Sequence, residues 1–344
     1  MQINVKTSTH DYNIIIEKGA FANLSEHIRD VATGRLFVVT DENVDRIYRS
    51  SLERALSDVE YEYMVLPSGE KTKCLETLGQ IYSALAEARI TRADTIIAFG
   101  GGVIGDITGL AAATYLRGVN FIGVPTTLLA QVDSSVGGKV AIDLAQGKNL
   151  VGSFYPPRKV IIDPEFLKTL PQRVFNDGMA EVIKYACIRD SGLFEILRGD
   201  ISECMDKIVY TSLDIKRKVV EADEFDRGER MILNFGHTFG HAVEKMYNYE
   251  TYTHGEAVAI GMNQITRATE RMGYTKAGTC DKLEKLLEKY SLNFEDFKFD
   301  AEEAMNIISL DKKGDGEYVN YICIKDIGTC EIVQRSKEDR FIVE

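Results

Sequence analysis

Long apolar runs, paired cysteines and a basic leader are missing from this sequence of 344 residues. No stretch of about 18 apolar residues is present to cross a bilayer, and Met1–Lys6 lacks the basic and apolar regions of a signal peptide. The six cysteines form no Cys-x-x-Cys pair, so a thiolate zinc site is not indicated. We therefore expect a soluble cytoplasmic protein with reduced cysteines and no membrane partner.

Basic residues are also few: the chain has 41 basic and 53 acidic residues, so its formal net charge is -12. An acidic surface repels phosphate backbones, so nucleic acid is not an expected partner. Basic side chains that converge locally on such a background are suited to holding a small anion. The chain length predicts about two domains.

The first half of the chain alternates short β-rich runs with segments of helical spacing, which predicts parallel β-α-β units. The clearest predicted strands are Leu36–Thr40, Tyr61–Leu66, Thr95–Phe99, Asn120–Pro125 and Val160–Asp163. After Pro171 helices are predicted, followed by a hairpin over 317–332. The predicted fold class is α/β, with a Rossmann-like parallel-sheet domain over residues 1–171 and a mainly α-helical domain over 172–344.

A glycine-rich turn follows the strand that ends at Phe99. The segment from Gly100 to Asp106 matches G-x-G-x-x-G and leads into an apolar helix. Glycines let the backbone approach a pyrophosphate, and a helix N-terminus offers free N–H groups. A tight turn that only needs positive φ is the simpler explanation, but the flanking strand and helix favour a dinucleotide. No acidic residue ends the next strand, so Asp41, at the end of an earlier strand, is the candidate for the ribose contact.

Two polar stretches follow this turn. Thr126 and Thr127 precede a predicted helix, where capping is the simpler explanation. Residues 133–149 form a glycine-rich stretch that carries Lys139 and Lys148. Basic and amide donors in a glycine loop suit an anionic ligand, although an ordinary polar loop has the same composition.

Three of the five histidines lie close together in the second half of the chain. On a helix predicted over 230–247, His237 and His241 lie one turn apart and face the same side. With His254 nearby and Glu181 on an earlier helix, a carboxylate and two imidazoles are available, as in catalytic zinc sites with an open position. Local spacing favours His237 and His241 as the nitrogen ligands, and buried core histidines are the alternative.

Cations accompany these histidines along the sequence. Arg230 and Asn234 are predicted to share one helical face with the first two histidines. A stripe this polar is not typical of a core and predicts one wall of a site for a polyanionic substrate. Lys184 lies three residues after Glu181, where an exposed helical ion pair is the simpler explanation.

Together these stretches resemble the 3-dehydroquinate synthases. The matching stretches span both predicted domains in order: Gly100–Asp106, Pro125–Thr127, Asp133–Lys139, Gly147–Asn149, Gly178–Tyr185, Arg230–His241 and His254–Met262. The resemblance implies a homodimeric lyase that converts 3-deoxy-D-arabino-heptulosonate 7-phosphate into 3-dehydroquinate and phosphate, in the shikimate pathway to aromatic amino acids.

The implied chemistry uses bound NAD and a divalent metal, zinc or cobalt. NAD+ would oxidise a ring alcohol transiently, the resulting ketone would acidify the adjacent proton so that phosphate leaves, and NADH would return the hydride. Ring opening and an intramolecular aldol closure would follow. The metal would bind adjacent substrate hydroxyls and polarise the one being oxidised.

The resemblance also assigns roles to residues. The metal ligands would be Glu181, His237 and His254, while His241 would assist proton transfer in the substrate pocket. The other implied substrate contacts are Lys139, Lys184, Lys216, Arg230, Asn234, Asn149, Asp133, Lys313 beside Lys312, and Arg117, which would reach the phosphate pocket of the neighbouring subunit. The implied NAD contacts are Asp41, Asn43, Glu70, Lys73, Gly101, Gly102, Val103, Gly105, Asp106, Thr126, Thr127, Lys148, Phe166 and Thr169. Asp143 departs from the Asn that many members carry at its position.

Other functions share parts of this pattern. Relatives that cyclise other sugar phosphates, such as 2-deoxy-scyllo-inosose synthase, act on substrates without a carboxylate, so Lys216 and Arg230 favour the carboxylate-bearing substrate. A polyol dehydrogenase of the glycerol dehydrogenase type would release NADH and need fewer anion-binding groups. An NAD-binding sensor would not need an open metal position.

Overall fold

The computed structural model describes residues 1–292, 300–311 and 318–336 of the chain. The described strands are β1 (Gln2–Val5), β2 (Tyr12–Ile16), β3 (Leu36–Asp41), β4 (Tyr61–Leu66), β5 (Thr95–Gly100), β6 (Asn120–Pro125), β7 (Lys139–Leu144), β8 (Gly147–Phe154), β9 (Lys159–Ile162), β10 (Tyr318–Asp326) and β11 (Thr329–Ser336). The described α-helices are α1 (Leu24–Ile28), α2 (Glu42–Ala55), α3 (Leu75–Glu87), α4 (Gly102–Thr114), α5 (Gln172–Arg189), α6 (Ser191–Arg198), α7 (Met205–Ala222), α8 (His237–Met246), α9 (His254–Arg271), α10 (Thr279–Lys289) and α11 (Ala301–Asp311). None of these helices is long and apolar enough to cross a membrane.

Seven strands form one sheet in the order β1-β2-β9-β6-β5-β3-β4, in which only β1 runs antiparallel to its neighbour. The central strands β3 and β5 are buried along almost their whole length, because α3 and α4 pack on one face of the sheet and α1 and α2 on the other. Parallel strands covered on both faces have nearly continuous apolar sequences. The predicted α/β class and its parallel sheet are confirmed.

Strands β7 and β8 form an antiparallel hairpin where the sequence predicted a glycine-rich loop. Val140 and Ile142 are buried, and β7 packs on α4. A Cβ atom on Gly109 of α4 would lie 2.4 Å from Val140 Cγ1, so this glycine allows the close approach. Two inward apolar residues are too few for strand alternation to stand out among the surrounding polar and glycine residues.

The described chain divides into two compact units. The first contains residues 1–171 and 205–225, and the second contains 172–204 and the described residues from 226 onward. This division differs from the predicted boundary after Pro171 because α7 belongs with the first unit. Helix α7 packs on β1 and β2, and Glu221 accepts a 2.9 Å hydrogen bond from the Lys6 N–H. The sequence of α7 shows an apolar face but not the element that covers it.

The second unit contains α5, α6, α8 to α11 and the β10–β11 hairpin, which agrees with the predicted helices and hairpin. The single helix predicted over 230–247 is wrong. Glu229–Asn234 forms a short 3-10 turn, and Gly236 adopts a φ of 80° before α8 begins at His237. Because the chain turns at Gly236, Arg230 does not lie on a continuous helical face with His237.

Candidate active site

The carboxyl ends of β3 and β5 form the topological switch point of the sheet, because β4 lies on one side of β3 while β5 and β6 lie on the other. Ligands of open parallel sheets bind at this point. Asp41 ends β3 and caps α2 by accepting the N–H groups of Asn43 and Val44. Gly101 follows β5 and is the N-cap residue of α4. The predicted ribose carboxylate and the glycine-rich turn therefore lie at adjacent strand ends.

The glycine-rich turn packs closely on its neighbours. A Cβ atom on Gly101 would lie 3.0 Å from Thr127 Cγ2, and one on Gly102 would lie 3.1 Å from Ser134 Oγ. Val103 and Gly105 lie in the first turn of α4. A pocket adjoins the turn, and its lining includes Gly101, Gly105, Asp106 and Lys139. The turn thus places the N–H groups of a helix N-terminus beside this pocket.

Lys73 connects several predicted site residues in the first unit. It is 4% exposed, and its Nζ lies 2.5 Å from Asp106 Oδ2 and 2.5 Å from Asn149 Oδ1. Burial opposes the charge on Lys73, but Asp106 and Glu70 outweigh burial and raise its pKa. Burial also raises the pKa of Asp106 to about 6, although Lys73 acts against this shift. The backbone N–H of Asn149 donates to Asp143 Oδ1 at 2.7 Å, which ties the β7–β8 hairpin into the same cluster.

The remaining predicted cofactor residues include side chains with structural roles. Thr127 Oγ1 accepts the Ala130 N–H at 3.2 Å, which is the capping role of the simpler explanation. Thr169 Oγ1 lies 2.7 Å from the Tyr48 hydroxyl. The Phe166 ring is buried in an aromatic cluster, 4.9 Å from the Tyr48 ring, so it belongs to the core. Cofactor contacts of these residues stay predictions, as do those of Asn43, Thr126 and Lys148.

The predicted substrate residues of the first unit include an ion pair, in which Lys216 is buried and Asp133 is half-buried, and two exposed cations. Lys216 is 5% exposed, and its Nζ donates to the backbone oxygen and to Oδ1 of Asp133, both at 2.7 Å. Lys139 and Arg117 are exposed. Arg117 has a φ of 65° and follows Leu116 with a φ of 50°. Left-handed conformations at non-glycine residues cost free energy and cluster at functional sites.

The second unit brings Glu181, His237 and His254 together from α5, α8 and α9. Glu181 is fully buried, and its Oε1 lies 3.4 Å from His237 Nε2 and 3.5 Å from His254 Nε2. Two ligand atoms of a tetrahedral metal with bonds of about 2.1 Å are about 3.4 Å apart. The donor set and its spacing therefore fit a divalent metal.

Both imidazole rings are oriented in the same way. Each directs Nε2 toward Glu181. His237 Nδ1 lies 3.2 Å from the Phe235 carbonyl oxygen, and His254 Nδ1 lies 3.7 Å from Glu244 Oε1. The carbonyl acceptor at Nδ1 of His237 favours the tautomer whose Nε2 lone pair is available to a metal.

The two histidines differ in their protonation. Burial lowers the pKa of His237 to about 3 in spite of the Glu181 carboxylate, so this ring is neutral. Burial also opposes the charge on His254, but Glu181 and Glu244 outweigh it and raise the pKa of His254 to about 10. A metal at this site must therefore displace a proton from His254.

A second group of ligand atoms consists of His241, Glu244 and His254. The rings of His237 and His241 are 5.6 Å apart, and His241 is exposed. Within the described residues, neither group contains both His237 and His241. The choice of these two as joint ligands, which rested on their i, i+4 spacing, therefore does not match the geometry.

The predicted substrate residues of the second unit differ in their burial. Lys184 Nζ contacts Glu181 Oε2, and both side chains are buried, so an exposed helical ion pair is the wrong explanation for this spacing. Arg230 is 3% exposed, whereas Asn234 is exposed. The predicted contact Lys313, with its neighbour Lys312, lies outside the described residues.

Glycines allow α8 and α9 to approach each other closely. A Cβ atom on Gly261 would lie 2.0 Å from the Gly236 oxygen, and one on Gly240 would lie 3.1 Å from the Ala257 oxygen. This packing holds the first residues of the two helices, His237 and His254, with ring centroids 5.2 Å apart. The glycines of the matched sequence stretch thus position the two metal-ligand candidates.

Gly261→Ala is expected to destabilise the second unit and weaken its metal binding. The added methyl group forces α8 and α9 apart, and overpacking of this kind costs about 1–3 kcal/mol. Denaturant unfolding measures the loss, and Gly79→Ala is a matched control. A Cβ atom on Gly79 of α3 meets nothing within 4 Å, so that variant is expected to gain about 0.5–1 kcal/mol. Equal stability of Gly261→Ala and the wild type would contradict the packing argument.

Two acidic residues near the site, the buried Glu244 and the half-buried Asp177, were not found from the sequence. Glu244 is 3% exposed and lies two turns after His237 on α8. Asp177 Oδ1 accepts the Gly255 N–H at 2.5 Å, which ties α5 to the start of α9. The spacing of His237 and Glu244 places them on one helical face and was the available signal. Acidic residues at such spacings are common on exposed helices, so the signal is weak.

Comparison with known proteins gives a consistent family assignment. The sequence model described as 3-dehydroquinate synthase N-terminal matches residues 63–177, and the one described as 3-dehydroquinate synthase C-terminal matches residues 178–314. The 3-dehydroquinate synthase of Clostridium acetobutylicum is 51% identical over 98% of this chain and 97% of its own length.

Solved structures of sugar phosphate cyclases have the same fold. A 2-deoxy-scyllo-inosose synthase complexed with carbaglucose-6-phosphate, NAD+ and Co2+ has a TM-score of 0.85 at 25% identity, covering 98% of this chain and 97% of that one. A 2-epi-5-epi-valiolone synthase from Streptomyces hygroscopicus, with NAD+ and Zn2+ bound, has a TM-score of 0.88 at 24% identity, covering 98% and 96%. The matches to both domain models and the identity over nearly the full length place the chain in the 3-dehydroquinate synthase family.

Proposed function

We propose that this chain converts 3-deoxy-D-arabino-heptulosonate 7-phosphate into 3-dehydroquinate and phosphate, with bound NAD and a divalent metal. The observation that carries the proposal is the fully buried Glu181, which faces the Nε2 atoms of His237 and His254, in a chain that matches the family over both units. When bound, NAD would supply a hydride acceptor that is regenerated in each cycle, and the metal would supply a Lewis acid.

The chain's own residues have separable tasks in this proposal. Glu181, His237 and His254 hold the metal, and the switch-point residues around Asp41 and Gly101 hold NAD. His241 is exposed and lies beside His237, so its imidazole is placed to move a proton to or from the substrate.

Buried cations support an anionic substrate. Lys184, Lys216 and Arg230 are buried, and the family resemblance assigns each of them to the substrate. Lys216 pairs with Asp133, and Lys184 pairs with Glu181. We propose that each of these cations contacts an anionic group of the substrate, its carboxylate or its phosphate. A cyclase whose substrate lacks a carboxylate would need fewer of them.

The reaction assay tests this proposal directly. The protein is incubated with the heptulosonate phosphate, catalytic NAD+ and Zn2+, while released phosphate, NADH and the enone formed by a coupled dehydratase are followed. We expect phosphate release without net NADH. Stoichiometric NADH from glycerol without phosphate release would identify a polyol dehydrogenase instead. Phosphate release from glucose 6-phosphate alone would identify a cyclase for substrates without a carboxylate.

We also propose that the protein is a cytoplasmic homodimer in which Arg117 serves the partner's site. The exposed, left-handed Arg117 supports this proposal. Light scattering gives the mass in solution and would test the dimer, for which we expect twice the 38.5 kDa of one chain.

A further inference from the structure

The proposed reaction gives no task to Glu244, although this carboxylate is 3% exposed in the second unit. Burial of a carboxylate costs free energy unless a cation or hydrogen-bond donor accompanies it. Glu244 Oε1 lies 3.7 Å from His254 Nδ1. One partner of this buried charge is therefore a residue proposed to bind the metal.

His254 lies between two carboxylates that come from different helices. Its Nε2 lies 3.5 Å from Glu181 Oε1 of α5, and its Nδ1 faces Glu244 of α8. His254 is the first residue of α9, so no preceding helical turn fixes its ring. Besides the neighbouring rings of His237 and His241, the groups at its two nitrogen atoms therefore help to fix the ring orientation.

We propose that Glu244 is a positioning residue, whose carboxylate accepts the Nδ1 proton of His254 and thereby directs Nε2 to a bound Zn2+ or Co2+. The inference rests on the proposed metal site and adds a residue to it. Ligation of Nε2 by a metal makes the Nδ1 proton more acidic, so the contact with Glu244 strengthens when the metal binds. The Phe235 carbonyl oxygen, 3.2 Å from His237 Nδ1, gives the other histidine an uncharged acceptor.

The same distances allow a competing role for Glu244. Together with His241 and His254 it forms the second group of atoms that are close enough to ligate one ion. In that arrangement Glu244 would bind the metal itself, and Glu181 and His237 would not. The two roles predict different responses to substitution.

The affinity for Zn2+ separates these roles. It is measured on purified, metal-free protein by titration with Zn2+ against a chromophoric chelator. Glu244→Met has a similar length and no acceptor, so we expect the affinity to fall about 10- to 100-fold. Glu244→Gln keeps an oxygen acceptor and is expected to recover most of this loss. Glu288→Gln, an exposed carboxylate on α10, is the matched control and should bind Zn2+ like the wild type.

Two further readouts exclude a merely structural effect. Thermal unfolding of the metal-free protein should show Glu244→Met to be less stable than the wild type, because the substitution removes one partner of a buried ion pair, so the Zn2+ affinities are compared at a temperature at which both proteins remain folded. The visible spectrum of bound Co2+ should change in Glu244→Met and return toward that of the wild type in Glu244→Gln, because it reports the geometry of the ligands.

The possible outcomes either support or overturn the proposal. Unchanged Zn2+ affinity in Glu244→Met would overturn it and leave Glu244 a packing residue. A second result would also overturn it: both Glu244 variants lose Zn2+ binding as completely as His254→Ala does, and His241→Ala loses it while His237→Ala does not. Glu244 would then be a metal ligand. If substitution of Glu181, His237 and His254 leaves Zn2+ binding as in the wild type, the proposed metal site itself fails, which is a distinct result.

Discussion

Replacing His237 or His254 with alanine is expected to remove tight metal binding, whereas His241→Ala is expected to keep the metal and lose turnover. The Nε2 atoms of His237 and His254 each lie within 3.5 Å of one oxygen, Glu181 Oε1. A four-ligand zinc site is worth about 10–16 kcal/mol, so loss of one ligand costs about two orders of magnitude in affinity or more. His241 lies outside this group, and removal of a general acid–base group slows a reaction about 10²- to 10⁴-fold.

Metal content after dialysis against a chelator and the rate of phosphate release measure the two effects separately. His10→Ala is the matched control, because His10 lies in the first unit beside the Pro157 carbonyl oxygen and should affect neither quantity. Equal metal loss in all three histidine variants would support joint ligation by His237 and His241. Loss in His241→Ala and His254→Ala but not in His237→Ala would place the metal in the second group.

The fold class was predictable because the strongest sequence signals coincide with the most buried elements. β3 and β5 carry continuous apolar runs since both faces of the sheet are covered. The predictions failed where a few residues decide the local structure. Gly236 ends the helical pattern through its positive φ, and the β7–β8 hairpin buries only Val140 and Ile142 of its β7 strand. The placement of α7 depends on which element covers its apolar face, and hydrophobic periodicity does not identify that element.

The candidate site was predictable in a different way. Asp41 and the turn at Gly101 follow from strand order, because parallel strands end at one edge of the sheet. The grouping of Glu181 with His254 came from family resemblance, since the two residues are distant in sequence and meet through the packing of α5 on α9. The same limit hid Glu244, whose contact with His254 depends on the glycine-mediated packing of α8 on α9.

Lys73→Met is expected to lower both the free energy of unfolding and the affinity for NAD. Lys73 Nζ lies 2.5 Å from Asp106 Oδ2, and Glu70 and Asp143 add further negative charge around it. Removing one partner of a buried ion pair costs about 3–5 kcal/mol. Because the Asp106 side chain remains 19% exposed to solvent, we expect a loss near the lower end, about 3 kcal/mol.

The stability loss in Lys73→Met should depend on pH in a definite direction. The pKa of an aspartate in an unfolded chain is about 3.9, and the pKa of Asp106 in the folded protein is raised to about 6. Between these values the folded state holds a proton that the unfolded state has released, so this contribution to stability falls as the pH rises toward 6. Without the Lys73 ammonium the folded pKa of Asp106 rises further. The decline therefore extends above pH 6 in the variant.

Urea unfolding at several pH values and calorimetric titration with NAD+ test both effects. Lys71→Met removes an exposed lysine nearby and should follow the wild-type curve. The double variant Lys73→Met/Asp106→Asn lacks the carboxylate that Lys73 balances, so we expect it to recover stability and lose the extended pH dependence. If it recovers stability but not NAD affinity, Lys73 and Asp106 contact the cofactor as well as each other. Unfolding curves of Lys73→Met and the wild type that coincide at each pH would instead show that the buried pair contributes little, because an unchanged midpoint and slope mean an unchanged free energy of unfolding.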